Sequence, residues 1–274
     1  MRKYRMLAFG TLCAVCFAGY VNAGPLFVGS VSAASGWYDI NKIWDGDDDV
    51  LCWAAAAGNV LAYTGWNGGM TANGIFQHYR DHWTDGTGNT WVGIEWFFEG
   101  TTTGSMPGTA TQDVPGGGGF YAGQWAGAAF QPSPINDYTN SWGNLTWYVD
   151  RWNDADTTND SGGVYLFLRG TSYNHWVTLW GYDLIDTTTK YIYITDSDDA
   201  VSKLQKYQLD DSGGMLYLHD YFSSTAGYYL DGVFRLAAGP DGIVPNPPIP
   251  EPTTLLLLAS GFSVLRIWIR RRKR

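Results

Sequence analysis

One thiol, one imidazole and two carboxylates, at Cys52, His175, Asp196 and Asp198, are the side chains of this 274-residue chain whose types and spacing could carry covalent catalysis. The cysteine restricts the options most. Cys13 and Cys16 fall within the first 23 residues, where Arg2, Lys3 and Arg5 precede an apolar stretch at 6–21 that ends on Val21-Asn22-Ala23. That is the pattern of a signal peptide, removed on export. The remainder holds Cys52 with no internal disulfide partner. A single cysteine in an exported protein is either a buried structural sulfur or a thiol kept for its reactivity.

Around it the chain reads Asp45-Gly46-Asp47-Asp48-Asp49, then Leu51-Cys52-Trp53, then four alanines at 54–57. Alanine is the strongest helix former and acids ahead suit a helix N-terminus, so Cys52 is predicted in the first turn of a helix. The helix dipole favours a thiolate there, while the aspartates oppose it by like-charge repulsion. A positive partner is needed, and histidine is the natural one. His78 and His82 have metal-ligand spacing on a predicted helix but lack the glutamate of a zinc protease motif. His219 shows no readable partner. His175 opens the apolar strand Trp176-Val177-Thr178-Leu179-Trp180, where a core or edge role is the ordinary reading.

The next strand changes that reading. Residues 186–189 can turn the chain, and a strand from Lys190 then returns antiparallel, bringing Asp196 and Asp198 to the end that holds His175. Carboxylates two apart on an extended chain point the same way, so one could accept a hydrogen bond from the imidazole and fix its tautomer. A solvated turn or a calcium loop is the alternative use of Asp196, Asp198 and Asp199.

Several elements must position these groups. Ile75, Phe76, Tyr79 and Trp83 recur at helical spacing, and Val92, Trp96 and Phe97 suggest a second helix. Residues 164–168, 176–180, 191–195 and 232–236 read as strands, and the glycine- and threonine-rich 100–119 as a long surface loop that could cross between two lobes. Helices early and strands late predict an α+β fold. Residues 24–250 carry 25 acidic side chains (26 less Glu251) and 8 basic ones (17 less 3 at the start and 6 at the end), a balance of −17. That argues against a nucleic-acid partner, which needs a basic surface.

The C-terminal end carries a second address: a proline spacer at 245–250, Pro250-Glu251-Pro252, an apolar segment at 255–265 and the basic end Arg270-Arg271-Arg272-Lys273-Arg274. It resembles the PEP-CTERM sorting signal of Gram-negative bacteria. That implies export to the envelope or surface, processing by signal peptidase and an exosortase, and transient membrane anchoring through the apolar helix. A plain membrane anchor is the alternative. Residues 1–23, 24–240 and 241–274 thus divide into leader, domain and sorting tail.

The segment 36–59, with Asn174-His175-Trp176-Val177, Leu179-Trp180-Gly181 and Ile194-Thr195-Asp196-Ser197-Asp198, closely resembles the immunoglobulin-degrading streptococcal cysteine endopeptidases of the IdeS or Mac type. The likeness extends more faintly over about 36–236. It implies a papain-like fold, Cys52 as nucleophile, His175 as general base and acid, Asp196 as its orienting partner, and Asp198 as a supporting aspartate. It also implies that Lys42, ten residues before the cysteine, helps stabilise the oxyanion; from the residues alone Lys42 reads as a solvated surface lysine. No cofactor or metal is implied. The intervening segments, around 100–119, Trp142 and Trp147, depart from the family, so immunoglobulin specificity does not carry over, and an envelope, matrix or competitor protein is the expected substrate. Two other classes remain open: a non-enzymatic surface protein binding glycans through exposed tryptophans, and a cysteine amidase acting on peptidoglycan.

Overall fold

Ten of the thirteen residues of the helix Cys52–Thr64 (α1) are apolar or glycine, too many to leave a polar face for solvent. Such a helix has to be buried on all sides. The structure is a computed structural model that describes residues 24–103, 105–125, 129–134, 141–150, 162–171, 173–199, 201–223 and 227–239. In it α1 is the central rod of the fold, and every residue from Trp53 to Thr64 is buried. Its small side chains let neighbours approach closely. A Cβ on Gly58 would come within 2.6 Å of the Ile40 side chain, and one on Gly163 within 2.6 Å of Val60.

The helices Ala72–Arg80 (α2) and Thr90–Glu99 (α3) pack on one side of α1. Thr71 caps α2 by accepting from the Gly74 amide, and Asn89 caps α3 by accepting from Trp91 and Val92. Both helices fall where the apolar spacing predicts, with Trp83 just beyond the end of α2. The loop 100–119 does not cross between lobes. It folds back along residues 82–87, with Thr109 and Ala110 donating to the Thr87 carbonyl and Met106 and Ala110 buried.

On the other side of α1 lies an antiparallel sheet. Its strands are Leu26–Phe27 (β1), Ala129–Pro134 (β2), Gly162–Arg169 (β3), Asn174–Leu184 (β4), Lys190–Thr195 (β5), Gln205–Ser212 (β6), Met215–Leu218 (β7) and Tyr229–Ala237 (β8). The order is β1-β4-β3-β8-β7-β6-β5, with β2 beside β8, and β5 pairs back onto β4. That last pairing closes six strands into a barrel around Leu166, Leu179, Ile192, Ile194 and Val233. The helix Ser141–Asp150 (α4) lies over it, with Leu145 and Val149 buried. The fold is α+β, helices first and antiparallel strands after. The pairing of β1 and β2 and the closure of the barrel have no signature in the sequence, because they join segments far apart in the chain.

Two polar latches tie the helical half to the barrel. Asn59, buried on α1, accepts from the Ile40 amide at 3.2 Å and donates to the Thr178 hydroxyl on β4 at 3.1 Å. Thr195, at the end of β5, donates to the Tyr38 carbonyl at 2.8 Å and accepts from Trp180 Nε1 at 2.8 Å. The leader 1–23 and the tail 241–274 lie outside the described residues, and no described helix is long and apolar enough to cross a membrane. Replacing Asn59 with Ala leaves two buried groups without partners, so unfolding of the mature domain in urea should show a loss of about 1–3 kcal/mol. A loss below about 0.5 kcal/mol would show that this latch holds nothing.

Candidate active site

Cys52 is the first residue of α1, as the alanine run predicts. The acids ahead of it do not cap the helix. The N-cap position is Leu51, with no side-chain bond to the first turn. Asp48 instead turns back, fully buried, and accepts from the Ile43 amide at 2.7 Å and the Trp44 amide at 2.8 Å. Asp45 is drawn to Arg80 at 2.8 Å. The helix start is thereby left bare: α2 and α3 have capping side chains, α1 has none, and no described acceptor takes the Cys52 amide. An uncapped first turn offers free N–H groups and the positive end of the dipole to whatever anion forms there.

His175 opens β4, buried, and close enough to Cys52 for the thiol to act on the charge of its ring. The hairpin places its partner as the sequence predicts. Residues 186–189 form the turn, where Asp186 accepts from the Thr188 and Thr189 amides, and β5 returns with Thr195 opposite Thr178. Asp196 Oδ1 then accepts from His175 Nε2 at 2.7 Å. That bond occupies Nε2 and leaves Nδ1 outside the Asp196 contact.

The two aspartates do not point the same way off a strand, because β5 ends at Thr195. The chain turns there, closed by the Asp198 amide donating to Asp196 Oδ1 at 2.9 Å. Asp196 takes the Nε2 side of the ring, and Asp198 Oδ2 lies 3.9 Å from Nδ1. Asp198 Oδ1 is 2.7 Å from Lys42 Nζ. Lys42 is not a solvated surface lysine: it is buried and also donates to the Asp49 carbonyl at 2.5 Å. Two of its three protons are taken, and its amide holds the Ser197 carbonyl at 2.9 Å. All five sequence-predicted residues therefore meet in one place.

The electrostatics follow from this burial. Desolvation alone would strip the proton from His175, but the Asp196 charge, the thiol of Cys52 and hydrogen bonds to both outweigh it and hold the imidazole well above its usual value. Burial likewise pushes Asp196 up, and the His175 charge with bonds from His175, Tyr221 and the Asp198 amide brings it below the usual carboxylate range. Asp39, nearby, is pushed to about 8, first by burial and then by the Asp199 and Asp196 charges, against the bond from the Lys203 amide.

Sequence reasoning missed Tyr221. Its hydroxyl donates to Asp196 Oδ2 at 2.5 Å, both groups fully buried, so the second oxygen of the carboxylate is also satisfied. Phe222 lies edge-on to the His175 ring with centroids 6.0 Å apart. A tyrosine followed by phenylalanine in an unpatterned loop gives no signal of either contact. His219 does have partners, Asp210 at 2.7 Å and Asp220 at 3.3 Å, on the exposed surface. The His78 and His82 rings lie tilted against each other with centroids 4.4 Å apart, and one nitrogen of each meets a backbone carbonyl, Gly117 and His78 respectively.

His175, Asp196 and Asp198 could between them offer ligand atoms to a metal ion. Part of that set is already committed: Nε2 donates to Asp196 Oδ1, and the Lys42 ammonium already balances Asp198 through its Oδ1. A raised imidazole beside a thiol at a bare helix N-terminus suits nucleophilic chemistry instead. No known protein family and no curated protein matches this chain.

The sign of the pH dependence is fixed by the two shifts. Asp196, depressed in the folded state, contributes stability that is present above its unfolded value of about 3.9 and is lost as pH falls through the folded value. His175, raised, contributes stability fully present below about 6.5 and lost as pH rises through its folded value. The stability gap between the wild type and Asp196→Asn should therefore be widest between about pH 4 and pH 6.5. NMR titration of the His175 ring should move downward in the same variant. An unmoved titration would mean that Asp196 does not hold the proton.

Proposed function

We propose that this protein is an exported cysteine endopeptidase with a papain-like catalytic half, related to the IdeS or Mac type. The observation that carries the reading is His175 buried between the Cys52 thiol and the Asp196 carboxylate, at the uncapped start of α1. The nucleophile on a helix N-terminus facing a histidine on a barrel strand supports the papain-like assignment.

In this mechanism the Cys52 sulfur attacks a peptide carbonyl carbon. The oxyanion is met by the Cys52 amide and by the Lys42 ammonium, which is otherwise shared by Asp198, the Asp49 carbonyl and the Trp44 ring. His175 Nδ1 gives its proton to the departing amine, and a thioester joins substrate to enzyme. Water then attacks the thioester, His175 takes one of its protons, and the acid product leaves the Cys52 thiolate paired again with the protonated imidazole. Asp196 keeps the ring oriented and its charge balanced throughout; it holds no proton in exchange. Asp198 neutralises Lys42, so that the ammonium can be buried beside the site.

The PEP-CTERM-like tail supports an envelope or surface location in a Gram-negative bacterium, with a protein of that environment as substrate. A glycan-binding role through exposed tryptophans finds less support. Trp37, Trp53, Trp66, Trp83, Trp96, Trp176 and Trp180 are buried, and their aromatic mass forms the core. The peptidoglycan amidase would use the same groups, and no feature of the site favours it.

Cys52→Ala should abolish cleavage of a peptide library by the mature domain, and unchanged cleavage would remove the nucleophile assignment. Lys42→Met should lower kcat by about 10²–10³-fold with a smaller change in KM, because the ammonium acts on the oxyanion rather than on bound substrate. An effect confined to KM would assign Lys42 to substrate binding instead.

A further inference from the structure

Three non-glycine residues among those described have left-handed backbone: Trp44 (φ 56), Asp220 (φ 57) and Phe222 (φ 54). Trp44 and Phe222 both touch residues of the site, Lys42 and His175 respectively. Side chains with a Cβ rarely adopt this conformation, and for bulky residues it marks strain that something must sustain. Burial of the ring is not the compensation here, since Trp44 is 50% exposed and Phe222 47% exposed.

The chain around both rings is held by bonds from neighbouring residues. Trp44 sits on a loop gripped by buried Asp48, which accepts its amide, by the Asp45–Arg80 pair, and by Asp85, which accepts the Val50 amide. Phe222 follows Tyr221, whose hydroxyl is fixed on Asp196. A continuous string of contacts joins the two rings across the site. Trp44 lies 4.1 Å from the Lys42 ammonium, Lys42 is 2.7 Å from Asp198, Asp198 is 3.9 Å from His175, and the His175 ring is 6.0 Å from Phe222. Ile43 and Val50, both exposed, extend the apolar surface on the Trp44 side, and half-buried Tyr228 extends it beside Phe222.

We infer that Trp44 and Phe222 are the specificity-determining walls of the site, and that the substrate is an extended polypeptide presenting large apolar side chains on both sides of the scissile bond, with basic rather than acidic neighbours. The inference rests on the hydrolase reading above and names what that hydrolase accepts. Rings exposed to water and strained in the backbone gain from covering apolar substrate surface, which each would lose as a smaller residue. The charge preference follows from the loop acids. Asp47 is exposed three residues after Trp44, Asp220 is 87% exposed two residues before Phe222, and residues 24–250 carry a balance of −17 (8 basic less 25 acidic). An acidic segment would be repelled from this rim and a lysine- or arginine-bearing one attracted.

The test is cleavage-site profiling of the mature protein with an unbiased peptide library, repeated with Trp44→Gly and Phe222→Gly. Glycine accepts the left-handed backbone, so these changes delete the ring while relieving the strain, and thermal melting confirms that each variant is folded. The wild type should favour Phe, Tyr, Trp, Leu or Met over Gly near the scissile bond by at least tenfold in kcat/KM, and Lys or Arg over Asp or Glu further out. Each glycine variant should lose the apolar preference on one side only, whereas Trp44→Phe and Phe222→Tyr should keep it. Cys52-dependent cleavage with a flat or acid-seeking profile, or profiles unchanged in both glycine variants, overturns this inference and leaves the hydrolase standing. No Cys52-dependent cleavage of any peptide removes the hydrolase and this inference together.

Discussion

A carboxylate taken out of water must have its oxygens satisfied and its charge matched, and in this protein that demand is met at Asp196. One oxygen receives His175 Nε2 and the Asp198 amide, and the other receives the Tyr221 hydroxyl. Removing one member of a buried pair leaves an uncompensated charge, which costs about 3–5 kcal/mol. The arrangement therefore reads as a constraint on everything around it: the imidazole has one orientation, with Nε2 committed to Asp196.

Holding that constraint requires agreement between segments more than a hundred residues apart. Cys52 belongs to α1, His175 to β4, and Asp196 to the turn that follows β5. Their relative placement depends on a few polar contacts between the two halves of the fold. Asn59 joins α1 to both the 36–42 segment and β4, Thr195 ties β5 to Tyr38, and the Ser197 carbonyl receives the Lys42 amide. The apolar cores on either side supply most of the folding energy, since burial of nonpolar surface is the dominant favourable contribution. The latches add little to that sum but determine how one core sits on the other, which is what a catalytic geometry needs.

Local signals in the sequence were legible and non-local ones were not. The alanine run after Cys52 identified the helix because propensity acts within a few residues, and Asp186 with its following threonines marked the β4–β5 turn for the same reason. The turn in turn brought Asp196 to His175, so the core of the site followed from one hairpin. The aspartates at 45–49 misled, because acids before a helix suggest capping, whereas Asp48 folds back onto its own loop. Lys42 carries no mark of burial in its neighbours; its partner, Asp198, is 156 positions away. Tyr221, the barrel closure and the strand β2 depend on pairings that no local pattern encodes.

The central claim is that folding, and His175 in particular, activates Cys52. The direct measurement is intact-mass and peptide-mapping analysis of the mature protein after brief exposure to a peptidyl vinyl sulfone, a probe that reports an activated thiol. The account predicts one adduct, on Cys52, formed rapidly by the folded wild type and at least tenfold more slowly by His175→Ala and by the protein unfolded in urea, one factor of ten being about 1.4 kcal/mol of activation. Equal labelling of the folded wild type, the folded variant and the unfolded chain would contradict it.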